Sequence, residues 1–525
     1  MNSTTSSPRP IEKVSSDNQV IGFDLFSSLT YMSILVRGGV GRDRLLEYCS
    51  RQRYETSVFF EHIGLMAKSL GIEYTRAFQE VAQKAKASRV KSLLLRFSAS
   101  ISSGSSEVDF ILQEARSESE NYSNDYERNV ENLRKWTDAY AAILVAVTLI
   151  MVVSQISSLL GATNQSFIYL MLFTLLGVTS IGVYLIYKVA PFEKVTYDPL
   201  VGGMIGDRAK GRFFLVVLGS TGMALASMMF VVILSNGGDP MNAASVAYAL
   251  MGLFLLPAGF YAWRDARKVS RIDYELPMFL RSIGSIAGSA GVTLTEALRR
   301  IDTNSLSELK VHVERLRARL EAQLPSSESW EVFSRETGSE LASRTTKMFV
   351  DGVEVGCEAG QIGELCSDYS QNITELRAKR QLTASTFSFL TLAMHATMAL
   401  ILVFVLEVIR NFNARLTEVM GGATGDVSKS YSMPTGLEGP PGISVPRGTT
   451  EISAGLDVFA ISDLTPIMYT IILAVGIMTV ANAVAPKFAE GGHTLKIVTY
   501  LSITSLVSGV VLFVVPRFTA ALLNV

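Results

Sequence analysis

At 525 residues the chain is long enough for two to four ordinary soluble domains. Its composition excludes that arrangement: 48% of residues are hydrophobic, only 18% are charged, and mean hydropathy is +0.30. The charges are segregated as well, leaving stretches of more than 18 residues with none, the mark of an integral membrane protein with soluble parts. A net charge of −1 gives no basic character toward nucleic acid, three cysteines make no disulfide framework, and four scattered histidines argue against a cofactor-dense enzyme.

Residues 1–20 form a polar tail without the charged-then-apolar pattern of a signal peptide, so the N-terminus is expected to stay in the cytoplasm. A first soluble domain follows over 21–135. Seven stretches then meet the length of a spanning helix: Trp136–Leu160, Ser166–Val189, Phe213–Leu234, Ala243–Trp263, Thr383–Ile409, Thr465–Ala485 and Ile497–Val515. A second soluble domain occupies 264–382. The Gly-, Pro- and Ser-rich segment 410–464 is expected to be a flexible outside loop. Loop charge orients the chain. GATNQ (161–165) and SNGGDPMN (235–242) carry no Lys or Arg, whereas the segment after the second span holds Lys194, Arg208, Lys210 and Arg212. Lys487 and Lys496 lie between spans six and seven. The alternation predicts a cytoplasmic N-terminus, cytoplasmic 1–135 and 264–382, and an outside C-terminus. His395 lies mid-span and reads as a helix-contact residue or a proton relay; no partner acid is evident at that depth.

The chain also reads as a duplication. Phe78 followed by Ala87-Ser88-Arg89 matches Phe333 followed by Ala342-Ser343-Arg344 at an offset of 255. Gly39-Val40 with Leu46 matches Gly291-Val292 with Leu298 at 252, and Val189-Ala190-Pro191 matches Val484-Ala485-Pro486 at 295. Each match alone is short; their collinear order carries the reading. A cytoplasmic helical domain plus three spans would be the unit, and span four would return the chain so that the second copy starts on the same side.

Helical spacing of Leu25, Leu29, Met32 and Val36, and of Leu276, Leu280, Ile283 and Ala287, predicts helical bundles for the soluble parts. The fold class is therefore all-α: a polytopic membrane protein with seven transmembrane helices and two repeated cytoplasmic bundles. No P-loop, GxGxxG after a strand, CxxC or HExxH motif occurs, and no catalytic, cofactor or metal residue is assigned. Gly284, Gly288 and Gly291 read as a small-residue packing face or turn. Two basic clusters flank the second domain: Arg264, Arg267, Lys268 and Arg271 leave span four, and Arg377, Lys379 and Arg380 enter span five. They serve as membrane anchors under the positive-inside rule or as contacts. Asp351, Glu354, Glu358 and Glu364, interleaved with Gly352, Gly356, Gly360 and Gly363, form either a tight turn or a docking edge.

At these residues the chain resembles the platform proteins of type II secretion and type IV filament machines, and most closely their archaeal form in archaella and archaeal pili. The segments VEVGCEAGQIGELCSDYS (353–370) and APKFAEGGHTLKIVTYLSITSLVSG (485–509) carry the resemblance. In the first half SISSGSSEVDFILQEA (100–115) keeps Gly104 but spaces its acids, Glu107, Asp109 and Glu114, differently. The resemblance implies a non-catalytic platform in the cell membrane, whose cytoplasmic domains sit on a hexameric assembly ATPase and whose membrane helices pass pilin or archaellin subunits into a filament. It implies no nucleic acid partner and leaves a homo-oligomer open. The acidic and basic residues named above become candidate ATPase contacts. A transporter or channel, and a membrane sensor, are the alternative readings.

Overall fold

The computed structural model describes residues 9–14, 18–159, 165–196, 207–430 and 464–523. In chain order the helices are α1 (Asn18–Arg37), α2 (Arg42–Ser50), α3 (Ser57–Leu70), α4 (Tyr74–Lys84), α5 (Ser88–Ser102), α6 (Glu107–Leu159), α7 (Gln165–Val189) and α8 (Asp207–Ser235). They continue as α9 (Pro240–Ala290), α10 (Leu294–Arg300), α11 (Lys310–Glu321), α12 (Ser326–Thr337), α13 (Glu340–Glu354), α14 (Ala359–Ser430), α15 (Thr465–Glu490) and α16 (Lys496–Leu523). Among the described residues the only β pairing is an isolated bridge between Thr196 and Ser339.

Three helices are far longer than a membrane is thick. α6 has 53 residues, α9 51 and α14 72, so at about 1.5 Å per residue each spans roughly 75 Å or more. Their apolar halves contain the expected spans and their polar halves lie in the soluble bundles. The boundaries drawn at 135, 263 and 382 all fall inside continuous helices, because nothing in those sequences breaks the backbone. Pro257 and Pro277 sit inside α9 without ending it.

Eight helices among the described residues are long and apolar enough to cross a membrane. Seven hold the stretches named above. The eighth is α1, whose apolar window is 89% buried inside the protein. Ile21, Leu25, Leu29, Tyr31, Met32, Ile34 and Leu35 are all at most 1% exposed, because α1 is wrapped by α2, α5 and α6 on one side and α13 and α14 on the other.

That wrapping changes the picture of two separate soluble domains. Leu29, Phe78 and Phe97 from the first bundle share one continuous apolar cluster with Leu280, Phe333 and Phe349 from the second. A second cluster, built from Leu144, Leu175, Ala399, Leu402, Val475 and Leu512, lies between the spans. The polar tail is also less detached than expected: Ile11 and Val14 are buried in the soluble core, and α1 already begins at Asn18.

The segment 410–464 departs from its expectation at its start. α14 continues through 410–430, where RNFNARLTEV keeps strong helix formers and no Pro. Arg410 reaches Asp239, the N-cap of α9, at 2.8 Å, which joins the start of α9 to α14 just beyond its apolar run. Residues 431–463 lie outside the described residues.

The two halves run in the same element order. α1 to α8 are a buried apolar helix, four short helices, a long helix into the membrane and two spans. The C-terminal half of α9 followed by α10 to α16 repeats that series.

Candidate docking surface

The second bundle positions its acids through two glycine devices. α9 and α14 cross so closely that a Cβ on Gly284 would lie 2.6 Å from the Ala359 carbonyl oxygen and 2.7 Å from Gly363 Cα. A Cβ on Gly288 would lie 2.9 Å from the Gly360 nitrogen. Only glycine allows two backbones that near. Gly291, assigned to the same face, belongs elsewhere: it ends α9 in the left-handed region (φ 59°), with nothing near its Cβ position. Gly356 (φ 92°) provides the corresponding turn between α13 and α14.

With Gly356 turning the chain, Glu354, Glu358 and Glu364 all face solvent. Glu358 accepts from Gln361 at 2.6 Å, and no partner of Glu354 or Glu364 is among the interactions described. Asp351 does not join them. It is 3% exposed, accepts from the Tyr31 hydroxyl of α1 at 2.5 Å and pairs with Lys347 at 2.7 Å. It fastens the first bundle to the second, and beside it the Tyr31 hydroxyl is held well above the usual phenol range by burial and by the carboxylate. Asp351 thus leaves the docking set.

The basic clusters divide in the same way. Arg264, Arg267 and Arg271 are exposed and Lys268 is half-buried. Arg267 lies over the Trp263 ring at 4.9 Å, and Arg271 pairs with Glu308 at 3.4 Å. Lys379 is exposed and reaches Glu127 of α6. Arg380 is buried and Arg377 is half-buried with its guanidinium taken up by two acids, so both are removed from the docking set. Arg377 donates to Glu193 at 2.8 Å and to Asp273 at 2.6 Å. Arg380 is 6% exposed and donates to the Pro191, Phe488 and Ala489 carbonyls at 2.6, 3.1 and 2.9 Å. Burial pushes the Asp273 carboxyl up to about 6, against the opposing pull of Arg377 and the Ser339 hydroxyl.

The sequence reading missed the buried ions that join the bundles. Arg344 of α13 is 4% exposed, pairs with Asp24 of α1 at 2.6 Å and with Glu340 at 2.8 Å, and lies between the Phe23 and Tyr54 rings at 4.4 and 4.5 Å. One signal was available: Asp24 is a single acid in an otherwise apolar helical run, and such an acid needs a partner. In the membrane, His395 is fully buried and contacts Ser508 of α16 at 2.9 Å and Asn482 of α15 at 3.3 Å. Tyr140 of α6 donates to the same Asn482 at 3.2 Å. These contacts make His395 a joint between helices, the first of the two readings the sequence allowed.

Residues 279–409, from the C-terminal end of α9 through about the first two-thirds of α14, match the family described as type II secretion system (T2SS), protein F. Two archaeal proteins named flagella accessory protein J are similar at low identity. The one from Methanocaldococcus jannaschii is 21% identical over 495 residues, covering 92% of this chain and 82% of that protein. The one from Methanococcus voltae is 21% identical over 398 residues, covering 75% and 71%. No solved structure gives a significant match. The chain is thus a multi-pass membrane protein whose residues 279–409 match the type II secretion system protein F family and which is similar over most of its length to archaeal proteins named flagella accessory protein J.

Proposed function

We propose that this chain is the membrane platform of a type IV filament machine of the archaellum kind, a scaffold with no catalytic activity of its own. The supporting observation is the coincidence of the protein F match at 279–409 with the bundle that presents Glu354, Glu358 and Glu364 to solvent. The names of the two archaeal relatives point to the same machine. In this reading a hexameric assembly ATPase binds the cytoplasmic bundles, chiefly the second, and its strokes reach the membrane helices that pass pilin-like subunits to the filament. Seven spans, a cytoplasmic N-terminus and an outside C-terminus belong to the proposal. So does origin by duplication, which the shared order of α1–α8 and α9–α16 supports.

Solvated acids steer and orient docking, each contributing about 1 kcal/mol or less. Reversing Glu354, Glu358 and Glu364 together to Lys is expected to reduce capture of the ATPase by the detergent-purified protein, with the remaining binding less sensitive to salt. Helicity and membrane insertion are expected to stay unchanged, since all three side chains are exposed. Full capture and normal filament numbers with the triple variant would place docking elsewhere.

A further inference from the structure

Residues 191–196 leave α7 at the inner membrane boundary and run along the second bundle instead of out into solvent. The Val195 carbonyl accepts the Glu340 N–H at 3.1 Å, and Thr196 forms a β bridge with Ser339. Glu340 is the first residue of α13, and its N–H has no acceptor inside its own helix. A segment from the first half thus completes a helix N-terminus in the second.

The segment is also held by charge. The Glu193 side chain is 1% exposed and accepts from the Arg377 guanidinium, which simultaneously donates to Asp273. Asp273 accepts from the Ser339 hydroxyl, whose oxygen in turn accepts the Ala342 N–H as the cap of α13. One turn further along α14, Arg380 gathers the carbonyl of Pro191, which follows α7, and those of Phe488 and Ala489 at the end of α15. Burying two acids with one base is costly unless every partner is in place, and an ordinary surface connection needs no such cluster. In the membrane α7 packs mainly on α6 and α15, which meet the second bundle through α14 and do not pack on α13. The connection at 191–196 gives α7 its own line to α13.

We propose that residues 191–196 are a coupling strap, latched by Glu193 between Arg377 and Asp273, that carries movement of the second cytoplasmic bundle to α7. The coupling role rests on the platform reading; the latch does not. Two variants of the full-length protein separate the parts. Glu193→Gln keeps the shape and removes the charge. A Gly-Ser insertion between Phe192 and Glu193 keeps the latch and adds up to about 7 Å of slack.

Amide exchange at Glu340 reads the latch directly, because the strap supplies its acceptor. In the purified protein Glu193→Gln is expected to speed that exchange about tenfold or more, with 345–350 inside α13 unchanged. Unaltered exchange at Glu340 would overturn the latch. The insertion variant is expected to keep Glu340 protected and to retain ATPase capture, yet to fail to restore filaments in a deletion strain that the wild-type chain restores. Normal filaments with the insertion would overturn the coupling. A wild-type chain that restores no filament would count against the platform reading and hence the coupling, while the exchange result would still decide the latch.

Discussion

At the scale of single residues, the close approach at Gly284 makes a sharp prediction. A methyl group there meets backbone atoms that cannot step aside, so Gly284→Ala is expected to destabilise by about 1–3 kcal/mol. Gly64→Ala, inside α3 with nothing within 4 Å, is expected to be neutral or to stabilise by about 0.5–1 kcal/mol. Thermal midpoints in one detergent compare the two. Arg344→Met tests the joint between bundles: it leaves Asp24 and Glu340 buried without their cation, a loss of about 3–5 kcal/mol. An unchanged midpoint would mean that the bundles are not fastened there. Glu118 offers a pH test. Burial, with a smaller contribution from Asp125, outweighs the pull of Arg89 and pushes its carboxyl up to about 7. The folded state then holds a proton that the unfolded chain releases near 4.5, so stability falls as pH rises between those values. Glu118→Gln is expected to raise the midpoint relative to wild type at pH 8 and to lose that advantage by pH 4.5. Residues of this kind were the least legible in the sequence. Asp351, Arg377 and Arg380 look like surface charges in a local reading, and only partners up to 320 positions away show that they are bound within the protein.

Among the elements, long periodic apolar runs were readable because a span or bundle helix records its own environment in its pattern. The inner Gly284 and Gly288 face was readable for the same reason, since small residues at helical spacing have few other uses. α1 was read as helical correctly, but its full enclosure was not visible. A helix buried on all sides and a membrane span carry the same hydropathy. The difference lies in its neighbours, α13 and α14, which come from the other half of the chain. The start of 410–464 failed differently: its polar composition suggested a loop, yet a helix already 50 residues long extends at little cost once nucleated.

For the molecule as a whole, orientation can be tested with cysteines because the native ones scarcely interfere. Cys49 and Cys366 are buried, with thiols pushed well above their usual range, so their silence toward reagents carries no information about sides of the membrane. Cys357 is half-buried against the Ile34 carbonyl at 3.3 Å. A cysteine at exposed Asn236 is expected to react with an impermeant thiol reagent in intact cells, and one at exposed Glu358 only after lysis. The reverse pattern would invert the orientation. The central claim, that the second bundle receives the ATPase, is met most directly by placing a photo-crosslinking residue at Glu358 in the full-length protein in native membranes. The same residue at exposed Leu70 of the first bundle serves as the comparison. An adduct with the assembly ATPase is expected from Glu358 and little or none from Leu70. Adducts from Leu70 alone, with Glu358 silent, would contradict that claim.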